Sequence, residues 1–308
     1  MHGIIPLWKP EGMTSHACVL KIRRLLKIKK AGHTGTLDPN VSGVLPVCIG
    51  EATKIVRYLQ DSGKTYVATV TLGVSTTTED AEGEVVEEKK VERTISRGEL
   101  LEVLRAHTGE IVQTPPMYSA VKVNGKRLYE YAREGIPVER PSRKVVIHEL
   151  TLLDDREEFS GNPLSFSIRV ACGKGTYIRT LAVSIGEKLG YPAHMSALTR
   201  ISAAGIHRDA CFTFEEIEAA VEEGRAEKIL LPVEDVLSEL PKYQIHDTLA
   251  NRVKNGALLA TPEHLQGEEG PVAVWWRGRI VAVYRKHSGR PGMLKPERVF
   301  AFDEIFNR

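Results

Sequence analysis

Behind Thr14 and Ser15, the apolar residues Val19, Ile22 and Leu26 recur at helical spacing, with Lys21, Arg24 and Lys27 turned elsewhere. The pattern predicts a capped helix to about Lys30. Val44 to Ile49 reads as a short buried strand, and Ala52, Ile55, Val56 and Leu59 make the next segment an amphipathic helix. After the turn Asp61-Ser-Gly-Lys64 the period changes to two. Tyr66, Ala68, Val70 and Leu72 then share one face of a strand. Ser96 and Glu99 predict a capping box for a helix to about His107. Strands follow at about 144–153 and 164–172, and Leu181, Ile185 and Leu189 line a helix that Gly190 can end. Thr213 and Glu216 form a second capping box, for an acidic helix to about Glu223.

Periodicity is lost near 232–243, between Pro232 and Pro241, which predicts a boundary there. Beyond it Asp247 should cap a short helix ended by Gly256. Val272–Trp276 and Arg279–Tyr284 flank a tight Arg277-Gly278 hairpin, and a last strand is expected at Arg298–Phe302. A short strand-rich tail of this kind suggests a small β-barrel. Before it, residues 111–142 fit neither period well. They carry Pro115-Pro116, an Asn124-Gly125 turn and a helical piece at Leu128–Glu134. A long, basic, partly irregular excursion of this sort is more often functional than idle.

Composition narrows the class. In 308 residues, 42% are hydrophobic and 27% charged, as expected for a globular chain that buries a core. No apolar run approaches the roughly 20 residues that cross a bilayer. The start, MHGIIPLWKPEG, does not read as a signal peptide, so a cytoplasmic protein without membrane association is expected. The four cysteines, Cys18, Cys48, Cys172 and Cys211, are far apart and include no Cys-x-x-Cys pair, which argues against a zinc site or a disulfide framework. The net charge is only +2, yet it is segregated: residues 21–30 hold six basic residues and no acidic one, while 79–92 hold seven acidic against two basic. Such segregation creates local positive fields of the kind nucleic acid uses, and taken alone it reads equally as a set of solvated helix faces.

Three motifs carry candidate chemistry. His33-Thr-Gly-Thr-Leu-Asp38-Pro39 presents a carboxylate and an imidazole on a Gly-containing loop. Taken alone it is equally a turn in which Asp38 caps backbone amides. Gly173-Lys-Gly-Thr-Tyr-Ile-Arg179 has the look of an anion-binding turn at a helix start or of an ordinary strand-to-helix turn, without P-loop spacing. Lys64-Thr-Tyr66 opens a strand, where a lone aromatic is usually core.

The combination resembles a known family. GHTGTLDPNVSGVLPVCIGEATK (32–54) is similar to the signature of the bacterial tRNA pseudouridine-55 synthases, the TruB family. KPEGMTS (9–15), KTY (64–66), PPMYSAVKVNGKRLYEYAREG (115–135), GTYIRTL (175–181) and AHMSALTR (193–200) extend the likeness in order along nearly the whole chain. Trp8 departs from it, standing where many relatives are expected to carry an acidic residue.

The resemblance implies an α+β pseudouridine synthase fold, a largely antiparallel mixed sheet with a central cleft, over 1–235. A basic RNA-clamping insertion spans about 107–144, and a small PUA-like β-barrel takes up 236–308. It implies isomerisation of uridine 55 in the T-loop of tRNA by base flipping. Asp38 corresponds to the catalytic aspartate and Arg179 to the arginine paired with it; a neighbouring guanidinium favours and orients a charged carboxylate. Tyr66 corresponds to the tyrosine that stacks on the target uracil. His33 matches a residue beside the flipped nucleotide, Leu198 an apolar pocket residue, and Tyr177 a ring beneath the pocket. Lys9 and Lys54 match basic residues serving structure or phosphate contacts. No metal or organic cofactor is implied, since nothing is oxidised and no group leaves for another molecule. The expected partner is tRNA, through its T-arm and, at the C-terminal domain, its acceptor stem, with a monomeric enzyme and no obligate protein partner. Two alternatives are a guide-RNA-dependent pseudouridine synthase and a non-catalytic tRNA-binding or folding module. The basic insertion and the lack of a long lysine-rich tail favour the stand-alone type. The Asp38, Tyr66 and Arg179 triple favours catalysis.

Overall fold

The computed structural model describes residues 1–300. In chain order the main elements are β1 (Gly3–Lys9), α1 (Ser15–Leu25), β2 (Ala31–His33), β3 (Ser42–Ile49), α2 (Val56–Asp61), β4 (Lys64–Leu72), α3 (Arg97–Ala106), β5 (Gly109–Gln113), α4 (Leu128–Glu134), β6 (Arg143–Leu152), β7 (Leu164–Cys172), α5 (Ile178–Leu189), β8 (Ala193–Ala203) and α6 (Phe214–Glu222). The C-terminal part adds β9 (Lys242–Gln244), α7 (Asp247–Lys254), β10 (Leu259–Ala260), β11 (Val272–Trp276), β12 (Arg279–Lys286) and β13 (Met293–Val299).

The first eight strands build one sheet in the order β1-β3-β8-β4-β7-β6-β5, with β2 joined to β3. Every pairing is antiparallel except β3 with β8. The face carrying Tyr66, Ala68, Val70 and Leu72 packs under α3 and α5, where Leu100, Leu104, Leu181, Ile185 and Leu189 complete one core. At the other end Ile5, Leu7, Leu45 and Val47 pack against Val19 and Ile22 of α1 and Ile217 of α6. These aliphatic stripes drive assembly because each removes apolar area from water, at roughly 25 cal/mol per Å².

The last five strands form a second sheet, β9-β11-β12-β13-β10, a half-barrel with its own core of Val274, Trp276, Tyr284 and Leu294. Its other side is packed on the first unit, where Ala273, Ile280, Val283 and Phe300 meet Ile4, Val44, Cys48 and Ile55. Polar contacts tighten the joint. Glu297 accepts from Arg57 (2.7 Å), Tyr58 (2.8 Å) and Arg285 (3.2 Å). The chain stays with the first sheet as far as Leu231, which exchanges two backbone hydrogen bonds with Ile4.

Some predicted elements moved. The helix expected to Lys30 stops at Leu25, and Lys27 adopts a left-handed φ of 51°. The turn lets Leu26 and Ile28 both reach the α1 core, which one helical face could not. The segment at 50–61 splits into a 3₁₀ turn (Gly50–Ile55) and α2. The Ser96 box is half formed: Ser96 accepts from Glu99 N–H, but the Glu99 carboxylate is held bidentate by Arg93 at 2.7 and 2.6 Å. Asp247 lies inside α7 rather than capping it, because its carboxylate accepts from Trp276 and Arg277. The final strand is Met293–Val299, earlier than expected, and residues 301–302 of that expectation lie outside the described residues. No helix among the described residues is long and apolar enough to cross a membrane.

Candidate active site

Asp38 sits on the loop between β2 and β3, and that loop is pinned at almost every step. The Ser15 hydroxyl, 2% exposed, accepts from Leu37 N–H (2.9 Å) and donates to Leu37 C=O (3.2 Å). Lys9 is fully buried, and its ammonium donates to the carbonyls of Pro10 (2.8 Å), Pro39 (2.9 Å) and Val41 (2.7 Å). Gly12 N–H also reaches Pro39 C=O, and Val41 N–H reaches Asp38 C=O. A carboxylate on so constrained a backbone is preorganised, while its side chain stays 45% exposed and reachable.

Arg179 comes from the first turn of α5, 141 positions further along the chain (179 − 38). Its Nη2 lies 3.2 Å from an Asp38 carboxylate oxygen and donates to Tyr118 C=O at 3.0 Å. Its Nη1 donates to Thr78 C=O (3.2 Å) and to Asp80 (3.3 Å). The start of α5 has no side-chain cap of its own. Gln113, 3% exposed, takes that place from β5: its Oε1 accepts from Tyr177 N–H (3.0 Å) and its Nε2 donates to Tyr177 C=O (3.1 Å). The Arg143 guanidinium covers the Tyr177 ring at 5.1 Å.

Tyr66 enters through strand register. Lys9, Gly43, Arg200 and Tyr66 stand in one row across β1, β3, β8 and β4. Only glycine fits at 43, since a Cβ there would lie 2.3 Å from Arg200 C=O. The Arg200 guanidinium, 1% exposed, donates from Nε to Val44 C=O (2.8 Å) and from Nη2 to Gly35 C=O (3.2 Å). Burial pushes the Tyr66 phenol up, with Arg200 pulling the other way. Burial and then the charges of Arg200 and His16 lower His33, which favours a neutral ring. Leu198, half-buried on β8, packs against the core beside Tyr66, and its register partner on β4 is Ala68.

The structure thus gathers Asp38 and Arg179 into one ion pair and sets Tyr66 opposite Arg200 on neighbouring strands. Lys9 lies beneath the Asp38 loop with its charge spent on carbonyls. Lys54 is elsewhere, donating to Glu51 (2.6 Å) and to Val299 C=O (2.7 Å) and so tying the two sheets together. A cavity of about 580 Å³ lined by Tyr58, His207, Leu231 and Leu240 includes none of the site residues. Sequence reasoning missed Asp80, Ser15, Gln113 and the cross-strand placement of Arg200 opposite Tyr66. Asp80 falls within the acidic stretch 79–92, where charge alone singles out no residue, and Ser15 reads as a helix cap, a position that Thr14 takes by accepting from Ala17 N–H.

A family model described as the N-terminal domain of TruB family pseudouridylate synthases matches residues 23–178, and one described as the C-terminal domain of tRNA pseudouridylate synthase B matches 179–238. The chain belongs to the TruB family. Relatives named tRNA pseudouridine synthase B include one from Geobacillus thermodenitrificans, 57% identical over 97% of this chain and 100% of its own. Another, from Bacillus cytotoxicus, is 53% identical over 97% of each chain. Among solved structures, a chain of a Cbf5-Nop10-Gar1 complex superposes with a TM-score of 0.76 at 29% identity, over 99% of this chain and 86% of that one. A chain of an H/ACA RNP bound to a substrate RNA containing 2′-deoxyuridine superposes with a TM-score of 0.72 at 27% identity, over 97% and 84%. The TruB chain therefore carries the pseudouridine synthase fold and is a pseudouridine synthase.

Proposed function

We propose that this TruB protein isomerises uridine 55 in the T-loop of tRNA to pseudouridine, with Asp38 as nucleophile. The observation that carries the reading is the Asp38–Arg179 pair at 3.2 Å, built from a rigid loop and a helix start far apart in sequence. An oriented, half-exposed carboxylate beside a guanidinium suits attack on the ribosyl or base carbon and division of one difficult step into two. The target base is first extruded from its loop, at a cost of about a few kcal/mol that new stacking and edge contacts offset. Tyr66 stacks on the extruded uracil, Leu198 gives it an apolar wall, and neutral His33 fills space beside the flipped nucleotide. Tyr177 supports the pocket from below. The C1′–N1 bond breaks, the uracil turns, C1′ joins C5 and the C5 proton leaves. The side chains gathered here need no metal or organic cofactor for that sequence.

The same reading assigns catalysis to residues 1–235. The basic insertion at about 107–144 becomes an RNA clamp, and the C-terminal half-barrel a PUA-like domain that holds the acceptor-stem side. Phosphate contacts from both would position the tRNA without specifying it. Relatives of 53–57% identity named for tRNA support a tRNA-directed enzyme over a guide-dependent one, and we read it as stand-alone and monomeric.

Tritium release from a T-arm stem-loop carrying [5-³H]uridine, without added metal, tests the reading. Wild type should release tritium, while Asp38→Asn should release none and keep its RNA affinity. Tight binding without release by wild type would leave an RNA-binding module in its place.

A further inference from the structure

The basic insertion leaves the first sheet after Gln113 and rejoins it at Arg143. It is well tied to itself: Thr114 meets Ser142 at 2.8 Å, Arg140 donates to Pro115 C=O at 3.0 Å, and Tyr129 N–H reaches Ser119 C=O at 3.2 Å. Its polar ties outward are few. Among the described residues, 114–142 make two with the rest of the chain, and both converge on the first turn of α5. Tyr118 C=O accepts from Arg179 Nη2, the same nitrogen that pairs with Asp38. Arg140 Nη1 lies 3.8 Å from Glu79 Oε1, and Glu79 Oε2 accepts at 2.8 Å from the hydroxyl of Thr180, the neighbour of Arg179.

Glu79 also shapes the turn that carries it. Its φ of 63° is left-handed, a conformation that a residue with a side chain keeps only where its surroundings impose it. Here its N–H donates to Thr76 C=O (3.2 Å) and its C=O accepts from Met195 N–H (3.0 Å). On either side of it, Thr78 C=O and the Asp80 carboxylate both accept from Arg179 Nη1. We infer that Glu79 is a positioning residue that couples the insertion to the Asp38–Arg179 pair through Arg140. While Arg140 is held at Glu79, the insertion keeps Tyr118 C=O on Arg179. When the insertion lifts, both ties are lost, and Arg179 gives up the acceptor beside Asp38. This goes beyond the proposed function and rests on its reading of the insertion as an RNA clamp. Coupling of this kind is reciprocal: RNA that holds the insertion down sets the pair, and an intact pair holds the insertion down.

Two measurements on the whole chain test the inference, with circular dichroism as a check on folding. Tryptic cleavage at Lys122, Arg127 and Arg133, exposed on the insertion, reads its release without RNA. Single-turnover tritium release at stem-loop concentrations well below saturation reads docking and reaction together. Glu79→Gln keeps an acceptor for Thr180 and removes the charge facing Arg140. It should speed cleavage at the three sites and slow tritium release, each roughly fivefold. Arg140→Gln should do the same, and the double variant should lose no more than either single one. Arg140→Lys, which keeps the charge, should stay near wild type in both assays. Should Glu79→Gln not fold, the two Arg140 variants carry the comparison from within the insertion. Cleavage of Glu79→Gln at the wild-type rate, or losses that multiply in the double variant, would overturn the coupling and leave the proposed function intact. Failure of wild type to release tritium would instead remove that function, and the tryptic rates would still decide whether Glu79 holds the insertion.

Discussion

Asp80 grips Arg179 at 3.3 Å from the side away from Asp38, so one guanidinium is shared by two carboxylates, one on each terminal nitrogen. Asp80 is itself fixed, accepting from the Thr78 hydroxyl and from Glu82 N–H. The orientation of the Asp38–Arg179 pair is thereby referred back to the turn at 78–82. Asp80→Asn should leave RNA affinity unchanged and slow single turnover roughly tenfold to a hundredfold, since small misplacements near reacting atoms are costly. A rate equal to wild type would show that Asp38 and Tyr118 suffice to hold Arg179.

Lys9 is a structural cation. Lys9→Met would strip its donor from three backbone carbonyls beneath the Asp38 loop, of which Pro39 keeps Gly12 N–H and those of Pro10 and Val41 are left unmet, and each unmet group costs about 1–3 kcal/mol. Urea unfolding should show a loss of about 3 kcal/mol. Turnover should fall with it. If stability were unchanged while RNA affinity dropped, Lys9 would belong to the RNA surface.

Gly43 permits the row that delivers Arg200 to Tyr66. Gly43→Ala puts a methyl against the Arg200 backbone at a φ of 135° and should cost about 3 kcal/mol or more. Gly205 has a φ of 74° and nothing within 4 Å of its would-be Cβ, so Gly205→Ala should cost only about 1 kcal/mol. Equal thermal shifts for the two variants would contradict the close approach.

Glu79 gives a pH signature. Its carboxylate accepts from the Thr180 hydroxyl at 2.8 Å, and burial raises the group above its ordinary 4.5. A proton held more tightly in the folded chain adds stability that is fully present below pH 4.5. That stability is lost as pH rises through the raised value. The stability of wild type relative to Glu79→Gln should therefore decline with rising pH across the acid range. A difference that grows with pH would mean that Arg179 and Arg140 outweigh burial at this carboxylate.

The local pattern was enough to find β4, α5 and α6, because period-two and period-3.6 stripes, the Gly190 stop and the Thr213–Glu216 box are properties of neighbours in sequence. Family likeness supplied Asp38, Tyr66 and Arg179 as candidates, and the fold makes an ion pair of the first and third. Asp247 misled for the same reason that Asp80 was overlooked. A carboxylate's local surroundings do not reveal which distant donor will claim it, and here Trp276 and Arg179 do.

The sequence by itself determined which segments form strands and helices, where most of them end and which family the chain resembles, since turn chemistry, periodicity and ordered motifs are encoded within short windows. Only the tertiary structure decided that Lys9 is buried beneath the Asp38 loop, that Gln113 caps a helix from another strand, and that Arg200 stands across from Tyr66. Those assignments depend on strand order and register. Both are settled by packing whole apolar faces against one another, and no single window of sequence contains them.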